Sequence, residues 1–226
     1  MPTTETRRWR FKAPEMEGPV ARWYARLRGT PSQVETYRKE AAQLTAGLAA
    51  GASVLEVAPG PGYLAIEIAR LGRLDVTGLD ISHTFVEIGR RNAREAGIYV
   101  DFRQGDVAAM PFASGSFDLV VCQAAFKNFT RPHTALSEMY RVLRDGGRAV
   151  IQDMSHGASH EDIELEVAGM EVGRFSAFTT KATLEMLKRR AYSRDDFERL
   201  AADSPFQKCV ITTQGIGLEV RLDKET

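Results

Sequence analysis

Three acidic residues sit in or just after short apolar runs: Glu56 within Val54 to Val57, Asp80 at the end of Asp75 to Asp80, and Asp106 after Tyr99 to Gln104. A turn with two glycines, Gly60-Pro61-Gly62, follows the first of these runs. Glycine lets the backbone turn tightly and lets a ligand approach with no Cβ in the way. A carboxylate ending the next strand, about 20 residues further on, can accept hydrogen bonds from both hydroxyls of a ribose. Together these residues predict a nucleoside-binding loop.

Two cofactor classes share that much. Gly60-x-Gly62-x-x-Ala65 satisfies the loose dinucleotide fingerprint, so an NAD-dependent oxidoreductase is one reading. Three features oppose it. Glu56, inside the strand, would repel a pyrophosphate but can hold the cationic ammonium of a methionine moiety. Pro59 and Pro61 remove two backbone N–H donors from the loop that would otherwise cradle phosphate. Asp106, in Gln104-Gly105-Asp106-Val107, suits a carboxylate accepting the exocyclic amine of adenine.

The elements that must position these groups alternate. Strands are expected at Ser53 to Val57, Asp75 to Asp80, Tyr99 to Gln104, Phe117 to Gln123 and Arg148 to Asp153, with helices at about Tyr63 to Leu71, Thr84 to Ala96 and Pro132 to Leu143. Strict βαβ alternation builds a parallel sheet. Asp145-Gly146-Gly147 is read as the turn after the third of these helices. Ser193 with Asp196 marks a further helix start, and strands at Lys208 to Thr212 and Gly217 to Leu222, joined by a short turn, should pair antiparallel. The layout is a basic tail over 1–19 and one domain over 20–226. Within it lie a helical cover at 20–50, a cofactor core at 51–154, a lid or insertion at 155–192 with a break near Gly173, and a final helix and hairpin at 193–226.

Glu56 to Gly62, Gly78-Leu79-Asp80-Ile81-Ser82, Gln104 to Phe112, Ser116-Phe117-Asp118-Leu119-Val120 and Met139 to Gly147 resemble the successive motifs of class I S-adenosylmethionine-dependent methyltransferases. The nearest branch is the broad one that includes ubiquinone and menaquinone C-methyltransferases. The resemblance covers roughly Val54 to Asp153. It implies a Rossmann-like seven-stranded, mostly parallel sheet with helices on both faces and the last strand antiparallel. It also implies S-adenosylmethionine as cofactor, no metal, and a small-molecule methyl acceptor such as a quinol, phenol, enol or amine. By position it places Glu56, Ala58, Gly60 and Gly62 around the methionine and ribose parts, Asp80 on the ribose, Ile81 and Val107 on the adenine faces, Asp106 at its amine and Gln123 near the methyl group. The family usually has glycine where this chain has Ala58, which bears on how closely the methionine part can approach.

Methyl transfer from a sulfonium asks mainly for alignment, and a base is needed only if the acceptor must lose a proton. His156, Asp153 and Lys127 are the candidates. In the helical cover, Trp23, Tyr24 and Tyr37 can close over the site, with Tyr24 or Tyr37 reaching the methionine carboxylate and Arg38 doing so by charge. Phe126 and Phe129 can wall the acceptor side. The segment from Phe175 to Arg190 reads as a lid or packing helix in preference to a membrane-touching one.

Composition narrows the partners. Thirty basic residues balance thirty acidic ones, and no Asn or Asp followed by two prolines and an aromatic comes after the fourth strand, so a nucleic-acid acceptor is not expected. Cys122 and Cys209 are read as two buried thiols, which favours the cytoplasm. No stretch is apolar enough to span a bilayer, so stable insertion is not expected; the protein is a monomer or a homodimer. A chain of this fold that binds the cofactor without transferring its methyl is the third reading.

Overall fold

The computed structural model describes residues 16–169 and 174–225, and their side chains except at 169–179 and 214. Most of the basic tail, and the break near Gly173, lie outside the described residues. The cover is two helices, α1 (Gly18–Arg28) and α2 (Pro31–Leu44). Both have proline in the first turn, where the missing N–H costs nothing. Thr30 stands at the N-cap of α2, but no cap hydrogen bond from its side chain is made.

The core follows as β1 (Ser53–Val57), α3 (Tyr63–Arg70), β2 (Asp75–Asp80), α4 (His83–Ala96), β3 (Asp101–Gln104), β4 (Phe117–Gln123), α5 (Pro132–Val142) and β5 (Leu143–Met154). Helices α6 (His160–Gly169) and α7 (Arg174–Lys188) form the insertion, and α8 (Arg194–Ala202), β6 (Val210–Gln214) and β7 (Gly217–Asp223) close the chain. The seven strands lie in the order β3-β2-β1-β4-β5-β7-β6. β7 runs antiparallel to both β5 and β6, and the remaining pairs are parallel.

Period-2 alternation sorts the strand residues between two cores. Val54, Val76, Phe102, Leu119, Val121 and Val150 face α2, α3 and α4. Leu55, Val57, Leu79, Val120, Cys122 and Ile151 face α5 and α8. Phe102, 1% exposed, is seated where three glycines leave room. A Cβ on Gly62, Gly78 or Gly89 would come within 2.4, 2.6 and 3.0 Å of its ring.

The structure differs locally from what the sequence predicts. Asp145-Gly146-Gly147 does not separate helix from strand; it is a bulge inside β5, with Gly146 at φ +76° and a register shift opposite Phe117 and Leu119. The third strand begins two residues late, at Asp101, and β6 lies two residues later than expected, at Val210. Cys122 is buried, but Cys209 is only half-buried, at the side of the core near the Phe197 carbonyl. Ser193 and Asp196 do form the expected reciprocal cap on α8. No described helix is long and apolar enough to cross a membrane.

Candidate cofactor site

The sheet order reverses direction at β1, whose neighbours are β2 and β4, and a crevice opens at the carboxyl ends of strands at such a point. The loop after β1 lines it. Ala58 N–H donates to the Leu79 carbonyl at 2.8 Å and Gly62 N–H to the Pro59 carbonyl at 3.0 Å, while Asn92 of α4 holds the Pro61 carbonyl at 2.9 Å. Gly60 and Gly62 take φ +56° and +79°. Ala58 also takes a left-handed φ, +54°, a conformation in which its Cβ is strained. A Cβ on Gly60 would meet nothing within 4 Å, so the loop faces open space there.

Asp80, 5% exposed, is held by backbone donors at 2.9 Å: Gly60 N–H on Oδ2 and Ser82 N–H on Oδ1. Burial raises its pKa from 3.8 to about 6, against those two hydrogen bonds. Ser82 caps α4 by accepting from Phe85 N–H at 3.1 Å, and its hydroxyl donates to the Met16 carbonyl at 2.9 Å. Glu17 accepts from the Thr84 N–H at 3.1 Å and from its hydroxyl, which lowers the Glu17 pKa. The chain before α1 is thereby fastened beside Asp80.

Glu56 is 3% exposed, and its Oε2 is buried with no hydrogen-bond partner. Burial drives its pKa up to about 8, with the Asp80 and Glu40 charges adding to the rise and the Ala65 N–H opposing it. An orphaned buried carboxyl oxygen needs a donor, and an ammonium group is a donor that also restores its charge. By strand alternation Glu56, Gln123 and Gln152 share the α2 face of the sheet. Gln123 donates to Glu40 at 2.8 Å and to Gln152 at 3.2 Å, and Gln152 donates to Glu219 at 2.9 Å. This polar row crosses the carboxyl edge from α2 to β7.

Tyr37 packs beneath α1, stacked on Tyr63 with centroids 6.1 Å apart, and accepts a hydrogen bond from Arg28 at 2.9 Å. Burial lifts its pKa to about 12. Tyr24 meets Phe85 edge-on at 6.0 Å. Arg38 is directed elsewhere, to Glu67 and Glu35 at 3.3 and 2.8 Å. Trp23 is 60% exposed on the outer face of α1 instead of closing inward.

Ile81 stands 47% exposed beyond Asp80, and Val107 is half-buried against the core. Asp106 caps the 3-10 turn Val107–Ala109, accepting from Ala108 N–H at 2.8 Å, and pairs through its other oxygen with Arg131 at 2.7 Å. The loop beyond it is clamped by α5. Glu138 accepts from Met110 N–H at 2.7 Å, and Arg141, paired with Glu138, donates to the Phe112 and Met110 carbonyls at 2.7 and 3.1 Å.

Lys127 and Asp153 form a buried ion pair, with Nζ 2.6 Å from Oδ1. The same ammonium donates to the Ala124 carbonyl at 2.6 Å, and Asp153 accepts from the N–H groups of Lys127 and Met154 at 3.0 and 2.8 Å. Asp153 alternates with Gln152, so the pair lies on the opposite sheet face from Glu56 and Gln123. It fixes the turn after β4, where Ala124 has φ +55°. Phe126 is wholly buried among Phe129, Tyr192 and Phe197, so it belongs to the core and not to an acceptor wall. The exposed His156 ring has Nδ1 3.0 Å from the Lys188 carbonyl, and His160 pairs with Glu185 at 2.8 Å. Among the described residues no group of three His, Cys, Asp or Glu can hold a metal ion.

Sequence reasoning missed Glu40, Glu17, Arg28 and Arg131. Glu40 was findable, since it lies three residues beyond Tyr37 and next to Ala41 on the buried stripe of α2. The other three act across distances in the chain that periodicity does not address.

Part of the chain is similar to known proteins. A family described as "Methyltransferase domain" matches residues 55–151. The chain is 39% identical over 110 residues to a demethylmenaquinone methyltransferase of Renibacterium salmoninarum, covering 49% of this chain and 44% of that protein. It is 37% identical over 109 residues to a ubiquinone/menaquinone biosynthesis C-methyltransferase of Roseobacter denitrificans, covering 47% and 44%. The chain thus matches less than half the length of these relatives. A solved structure from Methanococcus maripaludis is 20% identical with a TM-score of 0.76, covering 96% of this chain and 97% of that one. The [4+2]-cyclase SpnF is 28% identical with a TM-score of 0.52, covering 55% and 46%. Residues 55–151 thus match the methyltransferase-domain family, and the chain has the fold of an S-adenosylmethionine-dependent methyltransferase structure along nearly its whole length.

Proposed function

We propose that the chain transfers a methyl group from S-adenosylmethionine to a quinone-related small molecule, a quinol or a comparable phenol or enol. The buried, unpartnered Oε2 of Glu56, one strand from Asp80 and beside the Ala65 N–H in the first turn of α3, carries the reading. The names of the relatives support the acceptor class. The cofactor supplies a methyl group already activated by the sulfonium charge.

The chain's residues do the rest. Glu56 holds the ammonium, with Glu40 and Gln123 beside it. The Ala58 to Gly62 loop lies along the methionine and ribose parts, and Asp80 accepts from the ribose hydroxyls. Ile81 and Val107 sandwich the adenine, Asp106 takes its amine, and Tyr24 and Tyr37 cover the methionine end. The Lys127–Asp153 pair positions the turn that borders the acceptor space. His156 is the group we assign to a proton, where the acceptor must lose one.

The test is twofold. S-adenosylhomocysteine should stabilise the protein against heat and NAD should not, and labelled methyl should appear on a reduced demethylmenaquinone analogue. Stabilisation by NAD alone would overturn the cofactor reading. The relation to a cyclase favours one rival, a chain that binds the cofactor without transferring its methyl. Tight S-adenosylhomocysteine binding with no label on quinols, phenols or amines would favour that rival.

A further inference from the structure

Helix α1 has two unlike faces. Ala21 and Ala25 are buried against Phe85 and Ile88 of α4. On the other side Val20, Trp23 and Leu27, at helical spacing, are 56, 60 and 52% exposed. Three large apolar side chains in one stripe on a helix that already has a buried face need an occupant. Arg22 and Arg26 run alongside the stripe, and the helix contains no acidic residue.

The charge of the chain is distributed to match. It is neutral as a whole, yet residues 7–28 hold seven lysines and arginines against two acids, with Trp9 and Phe11 interleaved. A basic helix with an aromatic and aliphatic stripe is complementary to an anionic lipid surface, into which the stripe inserts while the arginines meet headgroups. A second copy of the chain would bring the same positive face against itself.

We infer that α1 docks the protein on anionic phospholipid bilayers, peripherally and reversibly, through Val20, Trp23 and Leu27. The position of α1 gives docking a use. Glu17 and Met16, just before it, are bonded to Thr84 and Ser82 beside Asp80, so the helix lies at the rim of the cofactor crevice. A crevice held at the membrane surface can receive a lipid-soluble acceptor directly. Docking rests on α1 and its charge; only the delivery of acceptor rests on the quinone reading.

The experiment is co-sedimentation of the full chain with vesicles of phosphatidylcholine alone or mixed with phosphatidylglycerol. Binding is expected only to the mixed vesicles, weakening as salt rises. Arg22→Glu with Arg26→Glu, and separately Trp23→Ser with Leu27→Ser, should each lower partitioning roughly tenfold or more. Both pairs should leave thermal stability and S-adenosylhomocysteine affinity unchanged. In a Trp9→Phe background the remaining tryptophan should shift its emission to the blue on binding. Equal binding to neutral vesicles, partitioning indifferent to both pairs, or a solution dimer that buries Trp23 would overturn the inference. Vesicle binding with no methylation of any quinol would remove the acceptor reading and leave the docking surface. Methylation of a water-soluble short-chain quinol without vesicle binding would do the reverse.

Discussion

The backbone N–H of Gly60 donates to Oδ2 of Asp80 across 2.9 Å, tying the loop after β1 to the end of β2. The carboxylate that we assign to a ribose is therefore fixed in place before any ligand arrives, and each of its oxygens keeps a further lone pair. Asp80→Ala should weaken S-adenosylhomocysteine binding at least roughly tenfold, as one charged hydrogen-bonding group is lost. Calorimetric titration returning an unchanged dissociation constant would remove the ribose assignment.

Glu56 and Asp80 both have pKa values above their ordinary ones, about 8 and about 6. The folded chain thus keeps protons that the unfolded chain has already released. Their contribution to stability is greatest below the ordinary carboxyl range and is lost as pH rises through about 6 and then about 8. For each proton so held, the unliganded protein should lose about 1.4 kcal/mol per pH unit across its window. Glu56→Gln should flatten the upper part of this dependence in denaturant melts and raise stability at pH above 8, while weakening cofactor binding.

Binding should also move a proton. A cationic ammonium beside Glu56 favours its ionised form, so cofactor binding below pH 8 should release protons from the wild type. Calorimetry in buffers of different ionisation heats measures the number; release that persists in Glu56→Gln would assign the proton to another group.

Ala58 occupies the left-handed region at φ +54°. Ala58→Gly should remove backbone strain and stabilise the protein by about 1 kcal/mol, net of glycine's greater freedom when unfolded. Urea unfolding is the measurement. A loss of stability would mean that the alanine methyl makes contacts worth more than the strain.

Lys127→Met leaves Asp153 charged and buried without its ammonium partner. Such a change should cost about 3 kcal/mol or more. Replacing Asp153 by Asn in the same chain should recover part of the loss, because the amide needs no counter-charge. If the single variant unfolds like wild type, the pair does not hold the turn after β4.

The sequence by itself determined the repeated strand and helix order, the glycine loop, and the place of Glu56, Asp80, Asp106 and Gln123 in or just after strands. Each follows from local periodicity, glycine chemistry and motif spacing, which need no knowledge of distant neighbours. Only the tertiary structure decided which groups meet. It turned Arg38 to Glu67, set Glu40 against Gln123, capped Asp106 with Arg131, and put Lys127 and Asp153 together across the sheet from Glu56. It also bulged β5 at Gly146 and left Trp23 facing out. These outcomes depend on sheet order and on which face each residue presents, and both arise from packing between segments far apart in the chain.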